Sequence, residues 1–331
     1  MNLDSILESS IPLILWLQSL GEGFASFMKI FTFMGYENFY LILFPIVYWW
    51  VDEKLGFRAG IILLLSGCIN TYFKWIFHLP RPYWIDTSVG AKAPETSFGA
   101  PSGHAQNAVA VWGLIATSLK KPWSWATATF LIFMIGFSRL VLGAHFLLDV
   151  ILGWLIGIVL LWVFLKLEKP FGNWAVTKSL SVKIGITLAA SLALILVGAL
   201  IRSAFQTWEL PSLWVENAAA LAPDDPIAPL ALSGVISNAA ILFGLGAGFV
   251  IMNSLGGFTT KGTASQQIIK YIIGILGVLI IWMGLDFIFP EGETVVAFIF
   301  RYIRYGLAGL WISLGAPWIY VKAKLSQPAQ R

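Results

Sequence analysis

Long apolar runs, rather than an alternation of apolar and polar positions, dominate this chain. No Asp, Glu, Lys or Arg occurs from Pro122 to Ser138, Val150 to Leu165, Ile184 to Ile201, Pro226 to Thr260, Tyr271 to Leu285 or Tyr305 to Val321. A bilayer core about 30 Å thick takes roughly 20 helical residues, with about 17 as the lower bound. Several of the runs reach that length once flanking side chains snorkel. One such run would suit a buried helix of a soluble protein; a succession of them does not. The pattern predicts nine membrane spans, over residues 38–52, 56–78, 102–119, 122–141, 145–167, 181–204, 228–252, 267–289 and 294–320. Ahead of them, Glu22, Lys29 and Glu37 interrupt a weaker apolar pattern. Residues 1–35 therefore read as an amphipathic helix pair lying in the membrane interface. The span at 38–52 is short, and residues 11–33 are a candidate tenth, so eight to ten spans bracket the expectation.

Composition turns the pattern into a fold class. Of 331 residues, 58% are hydrophobic and 11% charged, against about 25% charged in soluble proteins. Such a chain cannot cover a soluble surface with polar groups, and a disordered chain needs the opposite balance. Strands of a membrane barrel alternate, and these runs do not. The expected class is all-α, a polytopic transmembrane helical bundle. Cys68 is the one cysteine, so no disulfide framework is available. Its place within an apolar run reads as a small buried hydrophobe. Asp4 and Glu8 stand where a signal peptide wants positive charge, so no cleaved signal is expected.

Charge orients the bundle. One set of loops and helix ends holds 13 Lys and Arg but only three acids, Asp52, Glu53 and Glu168; the other holds 8 basic and 14 acidic residues. The positive-inside rule makes the first side cytoplasmic. Nine spans then put the N-terminus outside and the C-terminus inside, in a plasma or inner cell membrane. The same asymmetry accounts for the basic balance of the chain, and no nucleic-acid partner is expected. Three segments follow: an interfacial segment over 1–35, a core over 36–170 with all three histidines, and a four-span extension over 171–331. The linker 168–180 marks the seam.

Three polar clusters fall at the outer ends of spans: Lys74 to Arg81-Pro82, Pro101-Ser102-Gly103-His104, and Ser138-Arg139 followed by His145 and Asp149. Lys74, Arg81 and Arg139 bring three cations to one membrane face. Arginine forks match phosphate oxygens, and lysine adds a point charge. Pro101-Ser102-Gly103 opens a helix whose first N–H groups can bind an anion. His145 and Asp149 are four apart and share a helix face. A carboxylate holding one imidazole nitrogen frees the other as a nucleophile, and His104 is a second imidazole for acid catalysis. An anion cradle, a nucleophile and an acid make a phosphoryl-transfer site. No acidic cluster suits magnesium or calcium, so no metal and no cofactor are expected. Asn70 shares a face with Lys74 and is a candidate lining residue. His78 reads as interfacial, residues 83–100 as a mobile cover carrying Lys92 and Glu95, and the Gly153/Gly157 and Gly244/Gly248 pairs as close helix packing. Arg301 and Arg304 read as interfacial or lipid-phosphate contacts.

The sequence Lys-x6-Arg-Pro, Pro-Ser-Gly-His and Ser-Arg-x5-His-x3-Asp resembles the signature of the type 2 phosphatidic acid phosphatase superfamily. That superfamily also contains vanadium haloperoxidases, glucose-6-phosphatase and bacterial acid phosphatases. The resemblance covers residues 36–170 and matches at all eleven typed positions. It implies a helical core and metal-independent cleavage through a phosphohistidine. His145 would be the nucleophile, Asp149 its orienting carboxylate and His104 the acid, with Lys74, Arg81, Ser102, Gly103, Ser138 and Arg139 on the phosphoryl group. Two departures from the family pattern are expected: the further span that many bacterial members carry before the interfacial segment is not read here, and the four C-terminal spans lie outside the common core. The expected partners are an amphiphilic lipid phosphate and membrane lipids, with vanadate or phosphate as inhibitor and a second copy of the chain as a candidate. The leading expectation is a lipid phosphate or diphosphate phosphatase at the extracytoplasmic face. The alternatives are a phosphatase for a soluble ester such as a sugar phosphate, and a lipid-phosphate transporter with a remnant site.

Overall fold

The structure is a computed structural model and describes residues 7–205 and 207–329. Residues 1–6 of the expected interfacial segment, and Arg331 of the basic tail, lie outside the described residues. Among the described residues helix is the regular structure, joined by loops, with no strand. In order, the helices are α1 (Ile11–Ser19), α2 (Glu22–Phe33), α3 (Glu37–Ile46), α4 (Glu53–Phe77), α5 (Pro82–Ile85), α6 (Gly103–Leu119) and α7 (Pro122–Val141). They continue as α8 (Leu147–Val176), α9 (Leu180–Ser203), α10 (Ser212–Leu221), α11 (Ser233–Ser254), α12 (Ala264–Leu279), α13 (Val295–Leu310) and α14 (Ala316–Lys322). Wide π-helical turns extend α3 over Val47–Val51 and α12 over Ile280–Gly284, and join α13 to α14 over Trp311–Gly315.

Seven of these helical runs are long and apolar enough to cross a membrane: Glu53–Ile85, Pro122–Val141, Leu147–Val176, Leu180–Ser203, Ser233–Ser254, Ala264–Gly284 and Val295–Lys322. They coincide with seven of the nine expected spans. The other two are shorter. Helix α6 has 17 residues, because the Ser102 cap starts it late and Lys120, in the left-handed region at φ 55°, stops it before Pro122 opens α7. Helix α3 has 10 residues and contains Pro45, which lacks an N–H for the ladder; five more residues follow as the π turn. Residues 11–33 form no straight span. Helices α1 and α2 meet at 110°, across Gly21 at φ +94°, a conformation open to glycine. Lipid-facing surface is plain on α9, where Ser191 and Gly198 are the buried residues while Leu192, Leu196 and Leu200 are exposed.

The chain forms two compact units. One comprises Met1–Tyr40, Ile69–Val163 and Leu200–Ala231; the other comprises Leu41–Cys68, Phe164–Ala199 and Leu232–Arg331. In the first, Leu17, Met28, Ala105, Leu140, Val141 and Val150 form a core flanked by Phe24, Phe31, Phe137 and Trp154. Gly153 and Gly157 let α8 lie against α6: a Cβ on Gly153 would stand 2.5 Å from the Ser102 carbonyl, and one on Gly157 2.8 Å from that of Gln106. In the second, a Cβ on Gly244 would meet the Gly306 carbonyl at 2.0 Å and one on Gly248 the Ser313 hydroxyl at 2.1 Å. Both glycine pairs therefore pack backbone closely, as small residues do between membrane helices. Cys68 is buried and outside any disulfide. The expected linker over 168–180 is mostly helix. Helix α8 runs through Pro170 to Val176, and Glu168 is held by Arg58 at 2.7 and 2.8 Å. Arg304 pairs with Asp286, and Arg301 donates to Ser237 at 3.3 Å.

Candidate active site

All the expected site residues lie in the first unit. The last turn of α4 presents Lys74, the loop before α5 presents Arg81, and the start of α6 presents Ser102, Gly103 and His104. The end of α7 presents Arg139, and a five-residue connection that carries His145 leads to α8, whose first turn holds Asp149; His145 thus stands just before the helix whose face it was expected to share. Gly143 makes that connection possible. Its φ is +68°, and a Cβ there would stand 2.6 Å from both the Gln18 amide and the Gly90 carbonyl. Gln18 in turn clamps Gly90, donating to its carbonyl at 2.8 Å and accepting from its N–H at 3.1 Å.

Arg81 and Arg139 are fully buried, and Lys74 is 7% exposed. Arg81 is the hub. Its Nε donates to the Ser97 carbonyl at 2.7 Å, Nη1 to the Ala144 carbonyl at 2.9 Å, and Nη2 to the Phe98 carbonyl at 3.1 Å. Lys74 Nζ donates to Ser97 Oγ at 2.8 Å. Arg139 Nη1 donates to Thr32 Oγ1, and its guanidinium lies 5.8 Å from the ring centre of Tyr36. Between the two guanidinium groups sits Glu95. Its Oε2 accepts from Arg81 Nη2 at 2.9 Å, and its Oε1 accepts from Arg139 Nη2. Burial alone would push this carboxyl up; the charges of Arg81 and Arg139, then of His104 and Lys74, outweigh it and hold Glu95 well below the usual carboxylate range.

The histidines are distinguished by their partners. His145 is fully buried, with Nδ1 3.1 Å from Asp149 Oδ2 and Nε2 3.1 Å from Arg81 Nη1. An arginine has no acceptor, so Arg81 donates and Nε2 carries a lone pair. The proton is therefore on Nδ1, donated to Asp149, and the lone pair is on Nε2. Asp149 Oδ2 also accepts from the Phe146 N–H at 3.0 Å, which fixes the carboxylate. The Asp149 carbonyl accepts from the Ser102 N–H at 2.9 Å and so locks α8 to the start of α6. His104 packs edge-on to Tyr36 at 4.6 Å, with Nδ1 3.7 Å from Glu95 Oε1. Its Nε2 is buried and without a hydrogen-bond partner among the described residues.

Lys74, Arg81, His104, Arg139, His145 and Asp149 thus converge, through direct contacts or through Glu95 and Ser97. Asn70 supports them: Nδ2 donates to the Pro101 carbonyl at 3.2 Å and to Gln106 Oε1 at 2.9 Å. A Cβ on Gly103 would stand 3.1 Å from its Oδ1. Ser138 is different. Its hydroxyl donates to the Ile135 carbonyl at 2.7 Å, one turn back on α7. His78 lies outside the cradle, 4.2 Å from the Phe205 ring and 4.7 Å from that of Trp208. The loop over 83–100 is laced down by Tyr83 to Glu95 and by the Ala228 N–H to the Thr96 carbonyl, 2.9 and 3.0 Å. The sequence reading did not assign Glu95, Ser97, Thr32 or Tyr36 to the site, because none belongs to a spaced motif. Among the described residues, no three His, Cys, Asp or Glu side chains are grouped to hold a metal ion.

Known proteins share this sequence in part. Residues 55–172 match the family model of the PAP2 superfamily, and residues 236–329 match that of the PAP2 superfamily phosphatase, transmembrane extension. Glucose-6-phosphatase 3 of Rattus norvegicus is 27% identical over 215 residues, 56% of this chain and 61% of the rat protein. That match spans less than two thirds of the rat protein's length. Glucose-6-phosphatase catalytic subunit 1 of Felis catus is 27% identical over 270 residues, 72% of this chain and 73% of the cat protein. Glucose-6-phosphatase 3 of Bos taurus is 27% identical over 327 residues, 87% of each chain. No solved structure matches the chain.

Proposed function

The chain belongs to the PAP2 superfamily and is a multi-pass membrane phosphatase of the phosphoric monoester hydrolase class, and from that premise we propose that it hydrolyses a soluble phosphate ester of the sugar-phosphate kind through a phosphohistidine. The single observation that carries the chemistry is the line Asp149–His145–Arg81, with both contacts at 3.1 Å. It leaves a lone pair on His145 Nε2 beside a guanidinium fork. Lys74, Arg81 and Arg139, with the N–H that opens α6 at Gly103, cradle the three non-bridging oxygens; the Ser102 N–H is already given to the Asp149 carbonyl. Nε2 attacks phosphorus; the bond from phosphorus to the ester oxygen breaks; His104 gives its proton to the departing alcohol. Water then attacks phosphorus, the P–N bond breaks, and His104 takes the proton of the water. Asp149 balances the charge that the His145 ring acquires while it carries the phosphoryl group. Ser138, with its hydroxyl spent on Ile135, contributes least to the cradle.

The choice of ester rests on the relatives. The lipid substrate expected from the sequence relied on motifs at membrane depth, and nothing further supports it. Its alternative, a sugar phosphate, is supported by the names of relatives that align over as much as 87% of the chain. A remnant site in a transporter would not need two imidazoles and two carboxylates held in register. The charge asymmetry supports a site facing away from the cytoplasm, with the C-terminus inside. Phosphate release from glucose 6-phosphate by purified protein, run beside phosphatidate and an isoprenyl diphosphate, tests the reading. Turnover of the lipid esters with none of glucose 6-phosphate would refute it.

A further inference from the structure

Glu95 stands where the reading above puts the phosphoryl group. Its two oxygens accept from Arg81 and Arg139, and Oε1 is 3.7 Å from His104 Nδ1. A carboxylate and a phosphate offer a guanidinium fork the same thing, a pair of oxygens sharing negative charge. The two cannot share one cradle, because a dianion brought against a carboxylate meets like-charge repulsion. The backbone of Glu95 is pinned: Tyr83 Oη donates to its carbonyl at 2.9 Å and accepts from its N–H at 2.9 Å. The neighbouring Ser97 is held by Arg81 and Lys74. The carboxylate can therefore leave only by rotation of its own side chain. It stays within a side chain's length of the phosphate, beside the alcohol half of the ester.

We propose that Glu95 is a specificity-determining residue: its carboxylate holds the phosphoryl position, yields it to the substrate, and then accepts hydrogen bonds from hydroxyl groups on the alcohol. This rests on the phosphatase reading and narrows its substrate class to hydroxyl-bearing phosphate monoesters. Every phosphate must displace the same internal competitor. A polyol ester recovers part of that cost by donating hydrogen bonds to the displaced carboxylate. An ester with an apolar alcohol leaves a charged group desolvated against hydrocarbon. Inorganic phosphate and vanadate have no alcohol half at all, so Glu95 also speeds release of the product. The depressed ionisation of Glu95 keeps the competitor charged at any pH above about 4.5, the ordinary value from which it is lowered.

The test compares the full chain with Glu95→Gln and Glu95→Asp. Vanadate binding is read as competitive inhibition and as a rise in Tm. kcat/KM is measured for glucose 6-phosphate and for n-hexyl phosphate. Removing one charge-assisted competitor should tighten vanadate binding to Glu95→Gln by about tenfold or more. The ratio of kcat/KM for glucose 6-phosphate over hexyl phosphate should fall by a similar factor, with Glu95→Asp between the two proteins. Loss of the bridging carboxylate leaves two buried guanidinium groups unpaired, so Glu95→Gln should itself be less stable. Vanadate should then raise its Tm more than that of the wild type. Vanadate that binds the variant no more tightly, with no larger rise in Tm, overturns the occupancy. An unchanged substrate ratio overturns the hydroxyl selection. A wild type that turns over neither ester refutes the phosphatase reading and the selection together, while vanadate binding still decides the occupancy.

Discussion

Replacing Asp149 with Asn should preserve the fold and slow phosphoryl transfer by about three orders of magnitude. Asp149 Oδ2 accepts from His145 Nδ1 at 3.1 Å and from the Phe146 N–H at 3.0 Å. Two donors converge on one oxygen, so an asparagine fits only with its amide oxygen in that place. The amide nitrogen then takes the position of Oδ1, which is buried and without a hydrogen-bond partner among the described residues. An orphaned buried donor, with a neutral bond in place of a charged one, costs about 1–3 kcal/mol of stability. The chemical step loses more. When Nε2 bonds to phosphorus the ring keeps its Nδ1 proton and becomes cationic. A unit charge about 4 Å away contributes about 4 kcal/mol at an effective dielectric of 20, close to a thousandfold in rate. The loss should stay below the roughly 10⁴-fold of a serine-protease triad whose imidazole adopts the wrong tautomer, because here the amide oxygen still accepts the Nδ1 proton. Single-turnover kinetics with p-nitrophenyl phosphate, alongside acid-quench trapping of labelled protein, measures the step. A loss under about tenfold would show that the carboxylate's charge is not used. A loss beyond about 10⁵-fold with normal vanadate binding would show that the tautomer assigned to His145 is wrong.

His104→Ala should cripple hydrolysis of an alkyl phosphate by roughly 10²–10⁴-fold and spare an activated aryl ester, whose leaving group needs no proton; equal losses on both would remove the acid role. Gly99→Ala should abolish activity and lower Tm, because its Cβ would stand 2.4 Å from the Pro80 carbonyl and 3.1 Å from Asp149 Oδ2; wild-type turnover in that variant would contradict the packing. Activity should survive EDTA, since the cradle is built from side-chain cations; loss with recovery on adding magnesium would reverse that. Cysteines at Lys92 and Lys121, in a Cys68→Ala background, should label from opposite sides of the membrane, and labelling of Lys121→Cys from outside would invert the topology.

The six residues that meet at the site were legible because each belongs to a spaced motif that needs a particular residue type. Lys74, Arg81 and Arg139 had to be cations, and His145 and Asp149 had to be one helical turn apart. Spacing said nothing of side-chain direction. Ser138 fits the motif, yet a serine near a helix end readily turns its hydroxyl to the carbonyl one turn back, and here it does so on Ile135. The spans were legible as apolar runs, but their ends were not always. Hydropathy over 38–52 registers neither Pro45, which interrupts the ladder within α3, nor the π turn that follows it. The 110° bend of α1 on α2 depends on a backbone conformation at Gly21 that hydropathy cannot register. Through that bend Thr32 reaches Arg139, so the segment read as interfacial supplies a wall of the site, and Tyr36, the residue after it, packs on His104.

Glu95 was hidden for a different reason. It lies in a loop without periodicity, 14 residues from Arg81 and 44 from Arg139, and its only sequence signature is one acid among many on the acidic side of the membrane. What distinguishes it is a physical demand that the cations create. Two fully buried guanidinium groups and a nearly buried ammonium cannot sit together unpaired, because each buried charge without a partner costs several kcal/mol. A phosphatase meets that demand only while substrate is bound unless the chain supplies an anion of its own. Asp149 cannot serve, since its charged oxygen is committed to His145 and Phe146. The cradle therefore implies a second carboxylate, mobile enough to withdraw and tethered closely enough to return. The sequence shows the need for that anion in Lys74, Arg81 and Arg139, and only the folded loop shows that Glu95 meets it.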